Sequence, residues 1–143
     1  MPKTRAKAIP RRTALPEPEA FYITTDLLVS SRASLAPLAA ALPDAHLPMA
    51  RLLVLNGISR GSVETDFRRF IARLSVLRGA ALRSWRTAGR RVLDIGVQAG
   101  NETHPFEGVR LSAATLKAAA ALGIQVQVTV YRPGAYDMRE ETP

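Results

Sequence analysis

Cysteine is absent from the sequence, histidine occurs twice, and aromatic residues make up 6% of the chain. The lack of cysteine excludes disulfides, thiolate nucleophiles and cysteine-type zinc sites. His46 lies in a proline-rich stretch, where an exposed loop position accounts for it. His104 stands between Glu102 and Glu107, which with it would offer a metal one imidazole and two carboxylates. Pro105 stiffens this loop and no second histidine is near, so we expect no metal site and no cofactor.

Residues for bond-making chemistry are scarce. The serines that precede predicted helices are explained by capping, and no Gly-x-Ser-x-Gly sequence occurs. The glycine-bearing loop from Gly57 to Ser62 leads into a helix but lacks the lysine and the spacing of a P-loop. Asp26 and Asp94 fall within predicted strands, where the solvent-facing side of a sheet explains them as well as an acid–base pair does. We predict no catalytic residue; an enzyme or ligand-sensing domain near Asp94 and His104 is an alternative.

Long apolar runs are also missing. The longest apolar-rich stretch, Leu35 to Leu42, is interrupted by Pro37 and is too short to cross a bilayer. The N-terminal residues are polar and proline-rich, without the apolar segment of a secretory signal. The sequence therefore predicts a cytoplasmic protein that does not associate with membranes.

Lysine is rare, whereas arginine is abundant. Of the 20 basic residues 17 are arginine, and the formal net charge is +8. From Arg60 to Arg91 there are nine arginines against Glu64 and Asp66, so this one segment has a net charge of +7. A GC-rich genome would also favour arginine over lysine. The alternatives are a solvated helix surface and a basic surface that binds an acidic partner.

Proline and charge divide the chain into three parts. Residues 1–19 carry a net charge of +3 and four prolines, which predicts a disordered basic tail. Residues 133–143 are predicted to be a flexible acidic tail. Residues 20–132 are then a single domain, which is long enough to bury a sizeable core.

Period-two and helical patterns alternate within this domain. Strands are predicted at residues 21–30, 51–55, 91–99 and 124–131, and helices within residues 35–42, 63–77, 80–88 and 113–122. In the last strand Ile124, Val126, Val128 and Val130 are predicted to face inward and the intervening polar residues outward. In the first strand Phe21, Ile23 and alternate residues onward are predicted to lie on one side and Tyr22 on the other. Such alternation is typical of sheets with one solvated face. The predicted fold is therefore α+β: a four-stranded, mainly antiparallel sheet with helices packed on one face, ferredoxin-like or related.

A resemblance adds to this interpretation. The run Phe106-Glu-Gly-Val-Arg-Leu-Ser112, the helix that ends at Leu122-Gly123 and the strand to Tyr131 resemble an uncharacterised bacterial family, the domain of unknown function numbered four-two-seven-nine. A basic or tryptophan-bearing hairpin that this family tends to carry is reduced to Asp44–Ala50 in this chain. The resemblance implies a helix-backed sheet, no known enzyme activity and, by analogy, an immunity role against a toxin or effector.

The charge and the resemblance together predict a non-enzymatic protein-binding module, an immunity-like inhibitor of an acidic partner protein. The residues predicted to contact this partner belong to the basic segment: Arg69, Arg73, Arg83, Arg86, Arg90 and Arg91. The alternative is a nucleic-acid-binding protein that uses the same arginines and the N-terminal tail. The sequence leaves the partner and the oligomeric state open.

Overall fold

The computed structural model describes residues 21–57, 62–100 and 108–132. In chain order the elements are β1 (Phe21–Ser30), α1 (Ala36–Ala41), β2 (His46–Met49), β3 (Leu52–Leu55), α2 (Val63–Ser75), α3 (Gly79–Thr87), β4 (Arg90–Gln98), α4 (Ala113–Ala121) and β5 (Gln125–Tyr131). The two predicted tails, and the loop that holds Glu102, His104 and Glu107, lie outside the described residues.

The strands form one five-stranded sheet in the order β2-β3-β1-β4-β5. Three neighbouring pairs are antiparallel, whereas β4 and β5 are parallel. The α+β class is confirmed. The predicted four-stranded, mainly antiparallel sheet is matched in part, since the sheet has five strands and one of its four strand pairs is parallel. The connection from β4 to β5 contains a helix, and such a crossover returns the chain to the end of the sheet from which β4 started.

The unpredicted strand is β2. It lies in the segment Asp44–Ala50, for which the sequence predicts a proline-rich loop, and it pairs with β3 to form a hairpin. Its four residues include Pro48, so it shows too few alternations to be recognised. With β2 in place, the chain from β1 to β4 follows the strand-helix-strand-strand-helix-strand order of ferredoxin-like motifs, with two helices in the second crossover.

The helices cover one face of the sheet, and the core lies between them. Two of the predicted serine caps are confirmed: Ser62 accepts a hydrogen bond from the Thr65 amide at the start of α2, and Ser112 accepts one from the Thr115 amide at the start of α4. The N-cap of α1 is Leu35, which makes no side-chain cap bond, so Ser34 is not the cap expected there. The predicted separation of the helical segments 63–77 and 80–88 is also confirmed, because α2 ends at Ser75 and α3 begins at Gly79, which has a φ of +55°. The largest buried side chain is Trp85 of α3.

A bulge in β1 changes which residues face the core. Against β4, Tyr22 pairs with Val97 and Thr24 pairs with Gly96, so Ile23 is an extra residue. Tyr22 and Thr25 consequently both point to the helical side, where the Tyr22 hydroxyl donates to Asp66 of α2. The predicted outward position of Tyr22 is therefore wrong, because simple alternation fails across a bulge.

The valines of β5, which were predicted to face inward, lie on the core side of the sheet but are not buried. The register of β5 on β4 pairs Leu93 with Val126 and Ile95 with Val128, so the valines share the face of the core residues. They are nevertheless exposed, because β5 is the last strand of the sheet and α4 packs against α2. The predicted burial holds only for Ile124.

Candidate binding surface

Three of the helices leave a groove where α2 ends, α3 begins and α4 ends. It has a volume of about 410 Å³. Its cationic residues are Arg78, Arg86 and Arg91, and its walls include Leu77, Leu82, Trp85 and Leu122. We call this feature, defined by these three arginines and four apolar residues, the Arg groove.

Glu64 holds α2 and α4 side by side, so that both helices reach the groove with their C-terminal ends. Its carboxylate accepts hydrogen bonds from the Thr115 hydroxyl at 2.6 Å, the Ser112 amide at 3.0 Å and the Ser112 hydroxyl at 2.8 Å. These bonds to the start of α4, with the weaker attraction of Arg68, lower the pKa of Glu64 to about 2. The two helices therefore start at one carboxylate, and Ser75 and Ala121 near their other ends line the same groove.

The back of the groove is formed by Arg91 and Trp85. The Arg91 guanidinium carbon lies 5.6 Å from the centroid of the Trp85 ring, and Nη1 donates to the Trp85 carbonyl oxygen at 3.3 Å. Trp85 is itself held by a 3.2 Å hydrogen bond from its indole nitrogen to the Leu122 carbonyl oxygen. Gly123, which ends α4, passes so close that a β-carbon there would come within 2.9 Å of Arg91 Nη2. These contacts hold the Arg91 guanidinium against the Trp85 ring.

The other two arginines differ in what they contact. Arg78 donates to the carbonyl oxygen of Leu77 at 2.8 Å and to that of Ser75, the last residue of α2, at 3.3 Å. Arg86 lies in the last turn of α3 and is exposed. It makes no hydrogen bond or ion pair with any of the described residues.

The charge of the Arg groove stays positive after the protein's own dipoles are counted. None of the described residues that line it is acidic. Each helix C-terminus carries roughly half a negative charge, so the ends of α2 and α4 together offset about one of the three guanidinium charges, whereas the N-terminus of α3 at the same groove adds roughly half a positive charge. An excess of about two or more positive charges remains beside apolar walls.

Of the six arginines predicted to form one surface, only Arg86 and Arg91 meet in the Arg groove. Arg69 and Arg73 line a different cavity of about 200 Å³ beside β3, which also contains Asp44 and Asp66. Arg69 Nη1 lies 3.7 Å from Asp66 Oδ1. Arg73 donates to the Pro43 carbonyl oxygen at 2.7 Å. Carboxylates therefore balance the charge of this second cavity.

The remaining two predicted arginines lie elsewhere. Arg83 is exposed on α3 and does not line the groove. Arg90 and Arg91 are successive strand residues, so they project from opposite faces of the sheet. Arg90 accordingly donates to Gln127 of β5 at 3.0 Å, away from the helices.

Asp26 and Asp94, the candidate acid–base pair, are brought together on that opposite face. They are register partners on β1 and β4. Asp26 accepts from the Gly57 amide at 3.0 Å, and Asp94 accepts from the Thr129 hydroxyl at 2.8 Å. Burial, and then the neighbouring Asp94 charge, raise the pKa of Asp26 although the Gly57 bond opposes this. Because the Gly57 amide is already bonded to the Asp26 carboxylate, it is not free to bind another anion.

Sequence reasoning missed Arg78 and the apolar walls. Its position was a usable signal, because Arg78 lies between the helical segments that form α2 and α3. A cation just after a helix can bond the last carbonyl groups of that helix. The wall contributed by Leu122 comes from a helix 37 residues further along the chain than Trp85, a proximity that only the topology creates. Among the described residues no group of three or more potential metal ligands is found. His46 lies exposed on β2.

None of the helices within the described ranges has both the length and the apolar character needed to cross a membrane. Comparisons with protein-family models, with curated proteins and with solved structures found no match to this chain. The family resemblance drawn from the C-terminal motifs accordingly stays a prediction.

Proposed function

We propose that the protein is a non-enzymatic binding module whose Arg groove receives an acidic segment of a partner protein. The observation that carries this proposal is the meeting of three guanidinium groups in an apolar-walled groove whose described lining contains no carboxylate. Arginine pairs with carboxylates through two parallel hydrogen bonds, which suits aspartate and glutamate side chains.

The walls of the groove favour a polypeptide over a bare anion. Leu82 is partly buried and offers a contact to an apolar side chain between the acidic ones, whereas Leu77 and Trp85 are buried and form the floor of the groove. The volume of about 410 Å³ is within the range of small-ligand sites and holds a few side chains. The positive field would raise the association rate, and the bound module would cover the partner's surface. Inhibition of a toxin or effector is the form of this function that the family resemblance implies.

Nucleic acid suits this arrangement less well. A phosphate backbone is contacted by a continuous basic stripe, whereas Arg90 and Arg91 lie on opposite faces of the sheet. Arg69 shares its cavity with Asp66 and Asp44. The groove is a local cationic site, which fits a short acidic segment better than a strand of phosphates.

Trp85 supplies the assay, because it is the single tryptophan of the chain and lines the groove. Tryptophan fluorescence is measured while the protein is titrated with a peptide of alternating glutamate and leucine, with a glutamine-for-glutamate peptide as the neutral probe. We expect the acidic peptide to change the fluorescence and to bind more tightly than the neutral one. Arg86→Glu should weaken binding about tenfold or more, since it places a negative charge in the groove.

Arg83→Glu is the matched control, because it makes the same charge change on the same helix outside the groove. Its effect should stay within about threefold, the range of a screened rim charge. Equal weakening by both variants, or no difference between the two peptides, would contradict the proposal. Tighter binding of a single-stranded oligonucleotide, with a steep loss as salt is raised, would replace it with the nucleic-acid function.

A further inference from the structure

The two edges of the sheet are built differently. β2, at one edge, has four residues, includes Pro48 and pairs irregularly with β3. Proline, short length and irregular pairing are the devices by which proteins prevent an edge from joining another strand. β5, at the other edge, has seven residues and pairs with β4 in unbroken register. Between Gln125 and Tyr131 it contains no charged residue and no proline, so it has none of these protections.

An apolar row accompanies this unprotected edge. Val126, Val128 and Val130 are 43%, 50% and 64% exposed, on the same face as the core. Among the described strands β5 has a single neighbour, β4, so from Val126 to Val130 its outer backbone edge faces no other described strand. A strand with an open edge and an apolar row is suited to pairing with a further strand.

We infer that β5 pairs with β5 of a second copy of this chain. A two-fold axis through Val128 would make the pair antiparallel and place Val126 of each copy opposite Val130 of the other. The six valines would then form one continuous cluster on the helical side of a ten-stranded sheet.

The distribution of charge favours a second copy of this chain as the partner of β5. The chain has a net charge of +8, so two copies repel wherever their arginines meet. β5 is a neutral strip at which identical copies can approach. An acidic partner would gain no electrostatic attraction from this strip, whereas the Arg groove offers such attraction.

The size of the contact sets its strength. One seven-residue edge and three partly exposed valines per copy place the interface at the low end of the range, below about 1,200 Å² in total. Interfaces of that size are weak, and we expect a dissociation constant on the order of micromolar. The protein should therefore exchange between monomer and dimer as its concentration changes.

Sedimentation velocity over a concentration series tests this with the full chain. The weight-average mass should rise from 15.5 kDa towards twice that value as concentration increases. Val128→Lys, which brings two charges together at the axis, should raise the dissociation constant at least tenfold. Val76→Lys is the matched control, since Val76 is 67% exposed at the end of α2 and should leave the dissociation constant unchanged. A wild-type chain that stays monomeric at millimolar concentration would overturn the inference and leave β5 to a different partner.

The absence of cysteine permits a second, independent measurement. Val128→Cys introduces one thiol, and cross-strand neighbours in an antiparallel pair come close enough for a disulfide. Mild oxidation should cross-link this variant much faster than Val76→Cys. Equal rates for the two variants would refute pairing at β5, even if another dimer formed. Peptide binding followed through Trp85 should be unaffected by Val128→Lys, so failure of the dimer and failure of the proposed function are distinguishable.

Discussion

Replacing Tyr22 by phenylalanine tests the bulge in β1, because only the bulge brings this side chain to α2. The change removes the hydroxyl that donates to Asp66 Oδ2 at 2.5 Å and lies 2.8 Å from the Thr25 hydroxyl. The ring remains, so the apolar packing is conserved. Asp66 is 3% exposed and would keep Arg69, at 3.7 Å, as its side-chain partner among the described residues.

The size of the effect follows from the charge and the burial of Asp66. A hydrogen bond to a charged group contributes about 1.5 to 3 kcal/mol, and a buried acceptor that loses its donor is costly. The Arg69 contact is too long to replace it. We expect Tyr22→Phe to lower the free energy of unfolding by about 2 kcal/mol, which corresponds to a fall in Tm of roughly 4 to 8 °C for a domain of this size.

Urea denaturation followed by circular dichroism measures this loss, and a double-mutant cycle assigns it. Asp66→Asn keeps an acceptor for Tyr22 but removes the charge. In that background Tyr22→Phe should cost less than about 1 kcal/mol, as for a neutral hydrogen bond. If Tyr22→Phe lowered the free energy of unfolding by less than about 0.5 kcal/mol in the wild-type background, the reasoning would be refuted, because ordinary surface substitutions change the free energy of unfolding by that amount. An equal loss in both backgrounds would show that the effect does not pass through the Asp66 charge.

Three further predictions concern the groove support and the opposite face. Because the pKa of Glu64 is lowered from 4.5 to about 2, its stabilisation is complete above pH 4.5 and is lost as the pH falls towards 2. Glu64→Gln should abolish this part of the pH dependence of Tm. The pKa of Asp26 is raised above 3.8, so its ionisation disfavours the folded state, and Asp26→Asn should raise Tm at pH 7 but not below pH 3.8. Gly57→Ala should destabilise by about 1 to 3 kcal/mol in urea, because overpacking has this cost. Its β-carbon would lie 2.1 Å from the Thr25 carbonyl oxygen, whereas at the control Gly89→Ala the nearest atom is 4.0 Å away.

Local signals in the sequence were sufficient for most helices and strands. A serine followed by a helical apolar stripe located α2, and the glycine at 79 located its separation from α3. The alternation of Phe21–Ser30 located β1 with its observed bounds. In each case the residues that decide the structure lie within one turn of helix or one strand of each other.

Long-range features were beyond that reasoning. A bulge in β1 is set by its pairing with β4, so the inward position of Tyr22 has no local signal. The exposure of Val128 depends on the position of β5 in the sheet, since an edge strand and a covered strand show the same alternation. The run of arginines can be recognised in the sequence, but the fold places its members on different surfaces. Arg78, just before α3, and Arg91, near the start of β4, line the same groove.

The peripheral position of α4 and β5 affects how the molecule unfolds locally. The strands from β1 to β4 form an antiparallel unit. Among the described residues, α4 and β5 are joined to this unit by one strand ladder, the Glu64 contacts, the Trp85–Leu122 hydrogen bond and the packing of Ala119 and Ile124 in the core. Such a peripheral piece can detach as a cooperative unit at a lower free energy than global unfolding. Amide protons of β5 should therefore exchange with deuterated water sooner than those of β1, and detachment would expose the indole of Trp85 by removing its carbonyl partner on Leu122.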